Sequence, residues 1–159
     1  PMPHIRSLLL ASLLVSVAAP AYADFTFIVG SNRPPDSKAV EGFSIGGGGM
    51  IAMEFEYANN SENLDKVVPG LRTFMGNMLV QTPFAVAGFQ PYATAGLGYY
   101  RERLDTHQES GFGFNSGVGV KTKVFGPLMV RVDYRVLKLR GEPLFGTVHR
   151  VYSGVHLAF

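Results

Sequence analysis

Five charged residues at alternate positions hold most of the chemistry this chain could perform: Glu54 and Glu56, then Arg131, Asp133 and Arg135. Period two places each set on a single face of an extended strand. Carboxylates and guanidinium groups held together away from water form charge-assisted, often two-pronged hydrogen bonds. Such a cluster is either a structural plug or a charge-switched gate for small ions. Lys121, Arg150 and Tyr152 fall on the matching face and are expected to join it. Removing one partner of a buried pair strands the other, at a cost of about 3–5 kcal/mol.

Other chemistries find weaker support. His107 falls in a polar stretch, and His149 and His156 near the end of the chain. His149 and Ser153 have the same parity but stand four positions apart with no acid beside them, whereas a nucleophile needs its base within hydrogen-bond reach. The glycines of 46–49 precede no Gly-Lys-Ser/Thr, so a tight turn is expected there rather than a phosphate cradle. No histidine–carboxylate spacing suits a metal, and the chain has no cysteine. No cofactor is expected, and no enzyme.

The elements that would position these residues are short alternating segments. Strands are expected at 24–30, 40–46, 50–58, 71–82, 91–103, 111–124, 128–140 and 148–159. The clearest is 50–58, where Ile51, Met53, Phe55 and Tyr57 alternate with Ala52, Glu54 and Glu56. Tight turns are expected at 46–49 and at Phe125-Gly126-Pro127. Longer polar loops are expected at 31–39, 59–70, 104–110 and 141–147, with an apolar connection at 83–90. Eight strands with long connections alternating with short ones describe a membrane barrel whose short turns are periplasmic and whose long loops are outside.

Which face meets lipid follows from the opposite face. It carries Glu54, Glu56, Asn115, Lys121, Arg131, Asp133 and Arg135 together with Gly113, Gly117 and Gly119. A water-facing surface seldom repeats glycine so often, whereas a narrow barrel interior is filled by small residues and paired charges. The charged face is therefore expected inside and the apolar face toward lipid. Arg72, Arg101 and Lys138 end strands on the apolar face and are expected at the extracellular rim. Charge costs little there, and lipopolysaccharide phosphates lie at that height.

Composition agrees. The 159 residues are 47% hydrophobic and 16% charged, which suits one domain. His4 and Arg6, the apolar run 8–19 and Ala21-Tyr22-Ala23 make the three parts of a secretory signal peptide. Residues 1–23 are expected to be cleaved off, leaving 24–159 as the barrel. The remainder carries 13 basic against 12 acidic side chains, and no basic run with interleaved aromatics suggests a nucleic-acid partner.

The final segment, Arg150-Val151-Tyr152-Ser153-Gly154-Val155-His156-Leu157-Ala158-Phe159, resembles the C-terminal strand of outer-membrane barrels. Val151, Val155, Leu157 and Phe159 match its alternation; an aromatic commonly stands where this chain has Leu157. With the signal peptide and the strands around 50–57 and 130–134, the chain resembles the outer membrane protein beta-barrel domain family, related to small OmpA- and OmpX-type barrels. The resemblance implies an all-β, eight-stranded antiparallel up-and-down transmembrane barrel in a Gram-negative-type outer membrane. It also implies that the terminal residues are an assembly signal read by the barrel-assembly machinery. It implies no single activity. A structural or interaction role with a largely closed lumen is expected. The alternatives are a narrow porin-like channel, a loop-mediated adhesin or, more remotely, a lipid A-modifying enzyme. No residue names an extracellular partner.

Overall fold

The computed structural model describes residues 22–34 and 37–159. Period-two alternation, sustained by β-branched and aromatic residues and broken by turn clusters, yields eight strands. They are β1 (Tyr22–Arg33), β2 (Lys38–Gly48), β3 (Ile51–Asn60), β4 (Gly70–Gln81), β5 (Phe89–Leu104), β6 (His107–Phe125), β7 (Leu128–Leu139) and β8 (Thr147–Ala158). Each pairs antiparallel with the next, and β1 pairs with β8 to close the barrel. Closure leaves no open sheet edge along the wall, as an apolar solvent requires.

The faces are sorted inside out relative to a soluble protein. Arg131, Arg135 and Arg150 are at most 1% exposed, while Phe27, Phe55 and Phe112 are 61%, 55% and 69% exposed. Exposed apolar side chains continue around the wall through Ile45, Met53, Phe74, Leu97, Val118 and Val155. An apolar surface of that extent is incompatible with water and suits lipid.

The connections at one end are 49–50, 82–88 and 126–127; at the other they are 34–37, 61–69, 105–106 and 140–146. Both ends of the barrel chain lie with the first set, the periplasmic end by the usual pattern. Gly126, at φ 54°, makes the tightest of these turns possible. The connection 82–88 contains its own small hairpin: Val86 and Phe89 exchange backbone hydrogen bonds of 2.7 and 3.0 Å. Ala87 and Gly88 between them have φ of 52° and 85°.

Two expectations change. The polar stretch 104–110 is not a loop, because Leu104 pairs with His107 and only Asp105 and Thr106 turn the chain. Polar composition suggests a loop, but a paired strand standing in water above the membrane also has no need of an apolar face. The segment 31–39 shortens likewise, with β1 running to Arg33 and β2 starting at Lys38. The expected signal peptide lies outside the described residues except for Tyr22 and Ala23, which extend the β1 ladder onto Gly48 and Gly47.

Candidate functional site

Strands β3 and β7 face each other across the lumen, so their inward charges meet although they are distant in sequence. Glu54 is at the centre. Its Oε2 accepts from Arg131 Nη1 and from Ser44 Oγ at 3.0 Å. Its Oε1 accepts from Arg135 Nη2 at 2.9 Å and Asn77 Nδ2 at 3.2 Å. Arg131 also grips Asp133 in a two-pronged pair, 2.8 and 3.0 Å. Arg135 reaches Asp133 at 3.3 Å and Glu56 at 2.9 Å.

Glu56 begins a second tier. Arg150 Nη1 donates to it at 3.0 Å and Tyr152 Oη at 2.8 Å. The other polar contacts of Arg150 are neutral: Asn32 Oδ1 at 2.8 Å and Thr73 Oγ1 at 3.2 Å. Three carboxylates thus face three guanidinium groups, and the cluster balances to zero charge. The rings of Tyr92 and Tyr152 lie 5.3 Å from the guanidinium carbons of Arg131 and Arg135 respectively, covering their faces. Gly119 makes room for Tyr92, whose ring atoms stand 2.4 Å from where a Cβ would sit.

Lys121 does not join this cluster. It is buried, but its ammonium donates to the neutral Gln81 Oε1 at 3.2 Å and lies 5.3 Å from the centre of the Tyr92 ring. It lines an open cup of about 420 Å³ at the periplasmic end with Asp24, Gln81, Gln90 and His156. His156 shares a 2.9 Å hydrogen bond with Thr26.

The extracellular half of the lumen holds an apolar cluster, which the charged pattern did not suggest, beside buried Asn32, Asn60 and Glu102. Leu71, Met75, Tyr100, Leu137, Leu139 and Val148 pack there as one buried cluster. Parity held the signal, since Leu137 and Leu139 continue the face of Arg131, Asp133 and Arg135. The 140–146 connection is tied over this cluster. The Leu144 N–H donates to Glu102 at 2.7 Å, the Glu142 N–H to Glu109 at 3.2 Å, and Tyr100 Oη to the Arg140 carbonyl at 2.7 Å.

On the outer wall, His149 meets Tyr134 Oη at 2.7 Å. Ser153 lies four residues further along the same face, about 13 Å at ordinary strand rise, so the two do not form a nucleophile–base pair. Val151, Val155, Leu157 and Phe159 all point outward. The Phe159 backbone exchanges hydrogen bonds of 3.0 and 2.9 Å with Ala23. Arg72, Arg101 and Lys138 are exposed near the loop end; Arg72 and Arg101 stand directly opposite, while Lys138 pairs with Phe114 two strands away. Among the described residues no three histidines or carboxylates are grouped to hold a metal ion.

Comparison with known proteins agrees with this architecture. No curated protein matches the sequence. Among solved structures, Neisserial surface protein A superposes with a TM-score of 0.66 at 14% identity, covering 89% of this chain and 98% of that one. The N-terminal β-barrel domain of Pseudomonas aeruginosa OprF gives 0.66 at 15% identity, with 87% and 97% covered. The attachment invasion locus protein Ail of Yersinia pestis gives 0.51 at 12% identity, with 87% and 97% covered. At such identities the likeness is one of fold. The family described as "Outer membrane protein beta-barrel domain" matches residues 7–159. With that match spanning the whole closed barrel, the chain belongs to the outer membrane protein beta-barrel domain family and is a small barrel of the outer membrane.

Proposed function

We propose that this barrel is a sealed, non-conducting scaffold of the outer membrane, with a structural or interaction role at its extracellular end and no enzymatic activity. The observation that carries the reading is the double closure of the lumen. A neutral layer of paired charges spans its middle, and a buried apolar cluster packs in the half above. An ion entering from the periplasmic cup would have to part several buried ion pairs and then pass a cluster of buried apolar side chains. Both steps oppose conduction, the first because separated buried charges are costly and the second because a dry apolar constriction excludes ions.

The assembly reading is part of the proposal. Outward alternation of Val151, Val155, Leu157 and Phe159, with Phe159 beside the start of β1, suits recognition by the barrel-assembly machinery at the β1–β8 seam.

Planar-bilayer recording tests the closure. Wild type and Glu54→Ala are both expected to give no unitary conductance, because the apolar cluster persists in the variant. Reproducible ion-conducting steps from wild type would establish the channel reading instead.

A further inference from the structure

Arg72, Arg101 and Arg103 stand together on the outer wall where β4 and β5 emerge at the loop end. Arg72 and Arg101 are directly opposed across the β4–β5 ladder, a placement in which like charges repel. Arg103 follows on the same face opposite Gly70. The three arginines line a hollow of about 350 Å³ with Asn59 and Gln108. Little among the described residues answers their charge. Arg72 Nε donates to the neutral Asn59 Oδ1 at 3.1 Å. Among the described residues the acid within range is Glu62, 3.9 Å from Arg103 and itself part of the hollow's lining.

The height of this cluster points to its ligand. One tier closer to the membrane, the ladders set Tyr57, Phe74, Tyr99 and Phe112 side by side on the same face. Below them the wall is apolar, with Phe55, Met78 and Leu97 exposed. Aromatic residues mark the level where hydrocarbon gives way to headgroups, so the arginines begin where headgroups begin. A guanidinium fork matches phosphate oxygens two at a time, and a bound phosphate removes the repulsion between Arg72 and Arg101.

We infer that this hollow binds the phosphate groups of an outer-leaflet glycolipid, the lipid A part of lipopolysaccharide. The inference rests on placement in the outer membrane and is independent of whether the lumen conducts. Lys138, screened from the cluster by β6 and paired with Phe114, is not part of the site.

The test uses the full chain in phosphatidylcholine nanodiscs containing either bis-phosphorylated lipid A or the same lipid without phosphates, with bound lipid counted by native mass spectrometry. Arg72→Gln/Arg101→Gln/Arg103→Gln is expected to lower bound lipid A about tenfold, which corresponds to about 1.4 kcal/mol. Arg101→Lys, which keeps the charge but loses the fork, is expected to fall between the triple variant and wild type. Lys138→Gln is expected to bind as wild type does. Heat-modifiable gel migration confirms that each variant is folded. Undiminished lipid A on the folded triple variant overturns the site, as does equal retention of the phosphate-free lipid. Equal loss in Lys138→Gln overturns it in favour of diffuse rim attraction, and displacement by inorganic phosphate overturns the lipid in favour of a free anion. Planar-bilayer conductance of the same variants reports separately on the sealed lumen.

Discussion

Replacing Glu56 by glutamine tests the lumen more sharply than replacing Glu54, although both carboxylates are buried and both pair with two arginines. The difference lies in what the arginines retain. Without Glu54, Arg131 still holds Asp133 at 2.8 Å and Arg135 still holds Glu56 at 2.9 Å. Without Glu56, Arg135 keeps Glu54 and Asp133, but Arg150 keeps only the neutral Asn32 and Thr73. Arg150 is fully buried, so it becomes an unpaired charge with no water to screen it. Breaking a buried pair costs about 3–5 kcal/mol, and Glu56→Gln belongs at the upper end with Glu54→Gln at the lower. At an ordinary urea dependence of about 1–3 kcal/mol per molar, a gap of about 2 kcal/mol separates the unfolding midpoints of the two variants by roughly 1 M. Equilibrium unfolding in lipid vesicles, followed by tyrosine fluorescence and heat-modifiable migration, measures it. Adding Arg150→Met to Glu56→Gln removes the stranded charge and is expected to recover at least about 2 kcal/mol. If Glu56→Gln is no worse than Glu54→Gln, or the second substitution restores nothing, the assignment of Arg150 to Glu56 is wrong.

Further outcomes follow from the packing. Gly119→Leu drives a side chain into the Tyr92 ring, where a Cβ alone meets atoms at 2.4 Å; overpacking of this kind destabilises by about 1–3 kcal/mol, read as a lower thermal midpoint in detergent. Val67 is β-branched and held at φ 53° on an exposed loop. Val67→Gly should therefore raise the same midpoint by relieving about 1–2 kcal/mol of left-handed strain, and an unchanged or lower midpoint argues against that backbone. Phe159→Ala leaves the β1–β8 ladder from Asp24 and Ala158 onward in place but removes the outward aromatic, and is expected to lower outer-membrane insertion in cells while leaving the refolded barrel nearly as stable. Equal insertion would remove Phe159 from the assembly signal.

The faces of the strands were legible residue by residue. In β3, Ile51, Met53, Phe55 and Tyr57 announce the lipid side and Glu54 and Glu56 the lumen, because period two converts a one-dimensional pattern directly into two surfaces. The same rule placed Arg131, Asp133 and Arg135 together on β7 and set Leu157 and Phe159 outward. It was less able to separate strand from loop above the membrane. Polar residues 104–110 read as a loop because a strand in water lacks the apolar face that identifies it, and only pairing of Leu104 with His107 shows the hairpin.

Sequence alone therefore determined the eight-stranded design and which side chains enter the lumen. Tertiary structure decided which of them touch. Whether Glu54 meets Arg131 or Lys121 depends on strand tilt, stagger and barrel diameter, which are properties of closure and leave no local trace. Closure also put Lys121 in the periplasmic cup rather than in the charged layer and gathered Leu71, Met75, Leu137, Leu139 and Val148 into an apolar cluster, while the register of the β4–β5 ladder made neighbours of Arg72 and Arg101.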